Sequence, residues 1–196
     1  MKNNTTNKNK TKNVYQFKIT LKEIKQPIWR KIIVPETYSF WDLHVAIQNA
    51  MGWTDTHLHE FEINFPGNKL KVSIGIPDKD KPEVEQEIVL GWKVKIKKFF
   101  TLENNTANYI YDYGDYWQHK VQLEKIMPAE KGITYPICIA GKRACPPEDC
   151  GGSFGYEEIV NGTNEFQEEY GDYDPEYFNP GDISFDNPAE RLKFIM

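Results

Sequence analysis

The sequence predicts one α+β domain of mixed and antiparallel strands and hairpins, in a roll-like arrangement with one main N-terminal helix and short C-terminal helices. Apolar and polar residues alternate over several short segments, as they do in half-buried strands. One segment instead has apolar residues at helical spacing between recognisable start and stop signals. Aromatic residues make up 14% of the 196 residues, a share that suits strand faces and a compact β-rich core.

The first two strands are predicted on either side of Pro27, over residues 14–24 and 28–34. The first strand has aromatic and aliphatic side chains on one face: Tyr15, Phe17, Ile19 and Leu21. Lysine, glutamine and threonine alternate with them, which is typical of a half-buried strand. Pro35 ends the second strand.

The main helix is predicted to begin after Ser39 and to end at Gly52. Ser39 and Asp42 have the spacing of a capping box, in which each side chain accepts a hydrogen bond from the backbone N–H of the other residue. The residues that follow place apolar side chains on one helical face: Phe40, Leu43, Ala46, Ile47 and Ala50. Glycine is typical of the position after the last helical turn.

Two hairpins are predicted in the middle of the chain. Residues 57–64 and 70–76 are expected to pair across a Pro-Gly-Asn turn, and residues 109–113 and 117–126 across a turn near Gly114. In both hairpins apolar and aromatic residues recur at every second position, so one face of each hairpin is expected to be buried.

The other predicted elements are short. Residues 77–87 are expected to form a charged loop, and residues 92–96, where lysine alternates with apolar residues, an edge strand protected by charge. Residues 135–140 are predicted to be one more strand. Asp174 and Asn187 each precede a proline, and each pair is typical of a helix N-cap followed by proline at the first helical position.

The chain is expected to divide into a tail and one domain. Residues 1–13 contain four lysines and no acidic residue, and are predicted to be a disordered tail. The domain is predicted to comprise residues 14–196, with residues 141–196 as an acidic C-terminal extension on the same core. Residues 148–196 contain 2 basic and 13 acidic residues, a charge that would repel phosphate backbones and argues against general nucleic-acid binding.

Hydropathy and cysteine content indicate the cytoplasm. No stretch approaches the roughly 20 apolar residues that a membrane span requires, and the N-terminal lysines are not followed by the apolar segment of a signal peptide. Cys138, Cys145 and Cys150 are an odd number clustered late in the chain, unlike the disulfide framework of a secreted protein. We therefore expect a cytoplasmic protein without a membrane partner.

Five segments resemble, in this order, one protein family: IWRKIIVP at 28–35, MGWTDTHLHEFEI at 51–63, YIYDYGDYWQHKV at 109–121, CIAGKRACPPEDCGG at 138–152 and YDPEYFNP at 173–180. Together they are similar to the Ri-plasmid ORF-three-like family, whose members occur on plasmids and near mobile elements. The resemblance runs from about residue 14 to about residue 185. It implies a compact α+β, roll-like fold and supplies no catalytic or binding residues.

Some members of that family are labelled resolvases, and the residues present argue against that activity here. A serine recombinase needs a nucleophilic serine, several arginines around the scissile phosphate and a basic DNA-reading helix. The chain contains three arginines, its best-placed serine, Ser39, is assigned to a helix cap, and no helix-turn-helix with a basic second helix is visible.

Three histidines form the first candidate site. His57 and His59 are two residues apart, which places both imidazoles on one strand face, and His119 has a comparable position on another strand. With Asp112 or Asp115 nearby, they could hold zinc or manganese and activate water, as in a metal-dependent hydrolase or nuclease. The interpretation we favour is that these histidines form hydrogen bonds in a polar layer, without a cofactor.

The cysteines form the second candidate site. Cys138, Cys145 and Cys150 have the spacing C-x6-C-x4-C, without the close C-x2-C pairs typical of structural zinc sites. Zinc with a more distant fourth ligand, a disulfide between the last two cysteines and a thiolate beside Arg143 are alternatives. Free thiols that fill space are the favoured interpretation.

Two aromatic segments complete the candidates. The tyrosines, aspartates and tryptophan at 109–117 could stack a base, anchor a partner or coordinate a cation, and they equally suit a hairpin with cross-strand aromatic packing. Lysines and aromatic residues are interleaved at 92–100, as in proteins that bind single-stranded nucleic acid and in protected edge strands. In both segments we favour the structural interpretation.

The leading hypothesis is a non-enzymatic intracellular module that binds a protein or nucleic-acid partner, and of the two we favour a protein. Residues 53–61, 109–119 and 141–152 are expected to lie together, because sites concentrate in loops rich in polar and aromatic residues. The candidate binding residues are Trp53, His57, His59, Asp112, Asp115, Trp117, His119 and Arg143. The alternative is a metal-dependent hydrolase that uses His57, His59 and His119.

Overall fold

A computed structural model of the chain describes residues 13–77, 88–165 and 167–195. The strands are β1 (Asn13–Leu21), β2 (Trp29–Pro35), β3 (His59–Asn64), β4 (Lys71–Gly75), β5 (Ile88–Leu90), β6 (Thr106–Tyr111), β7 (Trp117–Pro128) and β8 (Ile137–Lys142). The α-helices are α1 (Phe40–Met51), α2 (Gly152–Asn161) and α3 (Pro188–Leu192). Within the described ranges the strands form one sheet in the order β5-β4-β3-β6-β7-β1-β2-β8. This architecture confirms the predicted α+β class with one main helix and short C-terminal helices.

The two longest strands, β1 and β7, pair near the centre of the sheet. All neighbouring strands are antiparallel except β4 and β5, which are parallel. Both predicted hairpins form, because β3 pairs with β4 and β6 pairs with β7, with Tyr111 opposite Trp117 beside the second turn. β6 also pairs with β3, so β6 separates β3 from β7. This order determines which side chains meet at the candidate site.

One face of the sheet is buried under α1. The capping box predicted at the start of this helix is confirmed: the Asp42 N–H donates to the Ser39 hydroxyl over 3.1 Å, and the Ser39 N–H donates to the Asp42 carboxylate over 2.7 Å. Gly52 ends the helix in the left-handed region, with φ 95°. Beneath the helix, the Phe40 and Phe61 rings meet edge to face with centroids 5.2 Å apart, an arrangement that contributes about 0.5–1.5 kcal/mol beyond the area it buries.

The edge strand predicted at 92–96 is wrong. Two 3-10 turns occupy this part of the chain, Gly91–Lys93 and Ile96–Lys98. The Phe40 N–H donates to the Val94 carbonyl oxygen, so the segment runs against the start of α1. Ile96 is fully buried there, and its inward side chain among exposed lysines produced the alternation that resembled a strand. Among the described strands, the two at the edges of the sheet are β5 and β8.

One of the two predicted Asx-Pro helix starts is confirmed. Asn187 caps α3, because its side chain accepts the Ala189 N–H over 3.0 Å and Pro188 occupies the first turn. Asp174 accepts the Glu176 N–H over 2.9 Å, but the chain continues there as a turn and not as a helix. The sequence did not predict α2, because glycines interrupt its apolar pattern.

The C-terminal part of the chain packs against α1 and β2. The Trp41 indole N–H donates to the Pro188 carbonyl oxygen over 2.8 Å, and the Arg30 guanidinium lies over the Phe178 ring, 4.0 Å from its centroid. These contacts support the proposal that residues 141–196 are an extension on the same core.

Most of the predicted lysine tail and of the predicted charged loop falls on residues 1–12 and 78–87, which lie outside the described residues. Asn13, the last residue of the predicted tail, belongs to β1. Among the helices that the structure describes, none has both the length and the apolar character that a membrane crossing requires.

Candidate functional site

Three loop segments meet at one end of the sheet, and we call this surface the loop face. They are residues 52–58, 112–116 and 143–151. The Trp53 indole N–H donates to the Pro146 carbonyl oxygen over 3.0 Å, and the Gly151 N–H donates to the Asp115 carboxylate over 3.2 Å. The structure therefore brings together the three segments that the sequence analysis expected to be close.

Glu148 holds two of these segments together. Its carboxylate accepts hydrogen bonds from the Thr54 N–H over 2.8 Å, the Thr54 hydroxyl over 2.5 Å and the Thr56 hydroxyl over 3.3 Å. It also accepts from the Tyr111 hydroxyl. Burial raises the pKa of this carboxyl, but the hydrogen bonds outweigh burial and hold the pKa below its usual value. Glu148 is therefore an ionised anchor between the loops.

The backbone of the loop face is strained. Of the six non-glycine residues with a left-handed φ in the described part of the chain, five lie on this face, with φ between 56° and 64°: Asp55, Asp112, Tyr116, Arg143 and Asp149. This conformation is uncommon for residues with a Cβ and costs about 1 kcal/mol or more each, so it persists where surrounding contacts impose it. The concentration of such residues makes this surface a candidate functional site.

His57 lies between two carboxylates on the loop face. Its Nδ1 is 3.7 Å from Asp112 Oδ1, and its Nε2 is 2.9 Å from Asp149 Oδ1. The second distance is short, but the oxygen lies off the N–H direction, so the buried Nε2 has no hydrogen-bond partner. The side chain of Asp112 is 9% exposed and that of Asp149 is 70% exposed, so this group reaches from the interior to the solvent.

A second polar group is buried beneath α1. The Gln48 side-chain N–H donates to the Tyr109 hydroxyl over 2.8 Å, and that hydroxyl is 2.9 Å from His44 Nδ1. His44 Nε2 is 2.7 Å from one oxygen of Asp55, whose other oxygen accepts from Arg191 over 3.2 Å. With Nε2 as the donor to Asp55, both ring nitrogens of His44 and both carboxylate oxygens have a partner.

His59 and His119 are buried away from His57. The His59 ring stacks on His44, with centroids 3.4 Å apart and planes within 7°. The Tyr109 ring lies between His59 and His119, with centroids 6.1 Å and 5.2 Å from theirs. Burial lowers the pKa of His59 well below its usual value and that of His119 to about 3, so both are neutral. The three histidines of the predicted metal site therefore do not converge.

Among the described residues, two groups are close enough to share a cation: His44, Asp55 and His59, and His57, Asp112 and Asp149. Neither group includes a cysteine.

The three cysteines are free thiols. Burial raises the pKa of Cys138, Cys145 and Cys150, and that of Cys150 rises to about 12, so all three are protonated. Arg143 pairs with Glu176 over 2.6 Å. The cysteine set therefore has the character of space-filling thiols.

The aromatic residues of the second hairpin pack inward. Trp53 stacks on Tyr111 with centroids 5.1 Å apart and lies 5.9 Å from Trp117. Trp53 and Trp117 are 4% and 2% exposed, so neither presents a ring to a ligand in solvent. Tyr113 and Tyr116, beside the turn, are the exposed aromatic residues of this hairpin.

A cleft opens between α2 and the segment that follows it, and we call it the acidic cleft. Asp149, Glu158 and Glu165 contribute carboxylates to it, and no lysine, arginine or histidine is among the described residues that line it. Phe154, on the solvent side of α2, lies at its rim with 74% of its surface exposed. Asp149 belongs both to this cleft and to the group around His57, so the acidic cleft is continuous with the loop face.

The sequence profile of one family, described as plasmid pRiA4b ORF-3-like protein, matches residues 13–187. The chain belongs to the plasmid pRiA4b ORF-3-like family. The match confirms the resemblance that the five sequence segments indicated. It also spans every residue of the loop face and of the acidic cleft, so both surfaces belong to the family domain.

Two relatives show what membership of the pRiA4b ORF-3-like family implies. The crystal structure of MM3350, a protein of unknown function from Methanosarcina mazei Go1, has a TM-score of 0.79 and 48% sequence identity, covering 89% of this chain and 98% of that one. The uncharacterised protein y4hQ of Sinorhizobium fredii is 34% identical over 149 residues, which are 74% of this chain and 71% of its own length. The fold is shared, the family is one of unknown function, and the function has to be argued from the site.

In this member of the pRiA4b ORF-3-like family, sequence analysis found part of the loop face and missed part. His57 and Asp112 were candidates, whereas Glu148 and Asp149 were not. Both missed residues lie in the segment PPEDCGG, where prolines and glycines constrain the backbone around two acids, and that combination was the available signal. His44 was also missed, although its position one turn before Gln48 places two polar residues on the inner face of α1.

Proposed function

We propose that this protein is a non-enzymatic binding module whose acidic cleft takes up a basic segment of a partner protein. One observation carries the proposal: Asp149, Glu158 and Glu165 meet the exposed ring of Phe154 at a cleft whose described lining contains no basic residue. Aromatic anchors supply much of the binding energy of protein interfaces, and complementary charge selects and steers the partner. An arginine or lysine beside an apolar residue in the partner would satisfy both features.

The loop face supports the cleft as a rigid surface. Glu148 joins residues 143–151 to residues 52–58, and Asp115 accepts the Gly151 N–H where α2 begins. A surface that is already ordered loses less conformational entropy on binding. Rigidity of this kind favours recognition of a partner.

A protein partner is favoured over nucleic acid. Residues 148–196, which contain the cleft, have 2 basic and 13 acidic residues. This charge would repel a phosphate backbone and attract a cationic peptide. Free thiols suit a reducing compartment, so we place the interaction in the cytoplasm.

The alternative, a hydrolase that holds its metal with His57, His59 and His119, has less support. The Tyr109 ring lies between His59 and His119, and both histidines are closed off from solvent. A catalytic metal needs ligands that converge and an open position that a substrate can reach. These three histidines offer neither.

Fluorescence anisotropy with labelled peptides tests the proposal. The probes are two short fluorescein-labelled peptides, one of alternating arginine and leucine and one with glutamate in place of each arginine. We expect the full chain to bind the first peptide and not the second. Binding should weaken as the salt concentration rises, because charge attraction between exposed groups is screened.

Phe154→Ala should weaken binding of the arginine peptide about thirtyfold, the effect of losing an anchor worth ~2 kcal/mol. Phe65→Ala is the matched control, because Phe65 is also exposed and follows β3 at the end remote from His57. It should bind the peptide as the unchanged protein does. Equal binding of the two peptides, or full binding by Phe154→Ala, would contradict the proposal.

A further inference from the structure

The protein's own contacts leave the group of His57, Asp112 and Asp149 incomplete. Among the described residues, the two carboxylates have no ion-pair partner other than His57, and the side chain of Asp112 is only 9% exposed. A buried carboxylate requires compensation by a cation or by several hydrogen bonds. The Gly114 N–H donates to Asp112 Oδ1 over 2.8 Å. One imidazole and one N–H thus face two carboxylates.

The contact between His57 and Asp149 has the distance of two ligands of one ion and lacks the geometry of a hydrogen bond. Nε2 and Oδ1 are 2.9 Å apart, yet Nε2 forms no hydrogen bond. A histidine nitrogen and a carboxylate oxygen that each lie about 2.1 Å from one ion are about 3.0 Å apart at the 90° angle of octahedral coordination and about 3.4 Å apart at the tetrahedral angle. Asp112 needs only a small movement to join them, since the three ligand atoms lie within 4.8 Å of one another.

The other group with ligand spacing does not fit a cation. His44 already uses both ring nitrogens, toward Tyr109 and Asp55. Its ring plane is within 7° of that of His59, and lone pairs that lie in two nearly parallel planes do not meet at one ion. Arg191 also pairs with Asp55 over 3.2 Å and supplies positive charge there.

We propose that His57, Asp112 and Asp149 bind one divalent cation, zinc or manganese. An imidazole nitrogen with two carboxylate oxygens is a donor set that suits these ions. The ligands come from all three segments of the loop face, so the cation would hold those segments together. Asp149 opens onto the acidic cleft, which gives water access to the remaining coordination positions. The cation site does not depend on the peptide-binding function.

Isothermal titration with Mn²⁺ or Zn²⁺ tests the site on the full chain, purified without an affinity metal and dialysed against a chelator. We expect one ion per chain and a melting temperature that rises with ion concentration, because a ligand of the folded state stabilises it. Asp149→Asn keeps the shape of a side chain that is 70% exposed and should weaken binding at least tenfold. Glu158→Gln is the matched control, because it neutralises a carboxylate of the same cleft outside the group, and it should bind the ion normally.

His57→Gln should weaken binding and should also remove the histidine nitrogen coupling from the electron spin echo spectrum of bound Mn²⁺. Absence of stoichiometric binding by the full chain would overturn the site. Undiminished binding by Asp149→Asn or His57→Gln would do the same. An equal loss in Glu158→Gln would assign the binding to diffuse negative charge and refute the site as well. None of these results depends on Phe154, so the peptide and cation proposals fail separately.

Discussion

Replacing Glu148 with alanine tests how the loop face is held together. The substitution removes the acceptor of hydrogen bonds from Thr54, Thr56 and Tyr111. Water can replace the carboxylate at the two threonines, which lie near solvent, so those bonds contribute little. The Tyr111 side chain is fully buried. Its hydroxyl would still accept the Thr56 N–H over 3.1 Å, but its own O–H would be left without an acceptor, at a cost of about 1–3 kcal/mol. With the lost loop contacts we expect Glu148→Ala to lower the free energy of unfolding by about 3 kcal/mol.

Urea unfolding followed by tryptophan fluorescence measures this change. A loss of about 3 kcal/mol corresponds to a melting temperature lower by roughly 6–12 °C in a domain of this size. Glu148→Gln keeps an acceptor and should cost only about 1 kcal/mol. Tyr111→Phe, introduced into Glu148→Ala, should recover less than about 1 kcal/mol, because it removes an O–H that has lost its acceptor but also removes the acceptor of the Thr56 N–H. If Glu148→Ala unfolds within about 0.5 kcal/mol of the unchanged protein, Glu148 does not anchor the loops.

Further predictions concern stability in acid, the buried hydrogen bonds of Tyr109 and the exposed ring at the acidic cleft. Below about pH 6.5 the free energy of unfolding should fall. The pKa values of His59 and His119 are lowered in the folded protein, so as the pH falls these histidines take up protons in the unfolded chain first. At pH 5 each should cost up to about 2 kcal/mol in urea unfolding, and a flat profile between pH 7 and pH 5 would disprove the assignment. Tyr109→Phe should lower the free energy of unfolding by about 1–3 kcal/mol, because His44 and Gln48 both lose the hydroxyl that they share. Unchanged urea unfolding would show that these buried hydrogen bonds add no stability. Phe154→Ala should change the free energy of unfolding by less than about 0.5 kcal/mol, since its ring is exposed, and a larger loss would mean that the ring packs in the folded protein.

Local sequence signals predicted α1 and both hairpins, because each signal acts within a few residues. The capping box of Ser39 and Asp42 and the left-handed Gly52 are determined by the chain next to them. The helix α2 depends instead on packing. A Cβ at position 155 would lie 1.7 Å from the Cys150 carbonyl oxygen, so glycine is required there. Glycine is a poor helix former, and its presence therefore weakens the sequence pattern that would predict the helix. The alternation at 92–96 likewise arose from packing against α1 and did not report a strand.

Strand periodicity predicted only which side chains of the candidate site are buried. Alternation correctly put His59 and His119 on the buried face, but it contains no information on strand order. Because β6 lies between β3 and β7, Tyr109 separates the two histidines. The contact of His57 with Asp149 joins residues far apart in the chain and depends on where the loop before α2 crosses the end of the sheet.

The most direct test of the binding surface is an NMR titration of the isotopically labelled full chain with the arginine–leucine peptide. We expect the amide signals of Asp149, Phe154 and Glu158 to shift together with a single affinity, while Gly67, in the turn between β3 and β4, stays unchanged. Shifts that avoid the acidic cleft, or that scatter over the sheet without a common affinity, would show that this surface is not where the protein binds a partner.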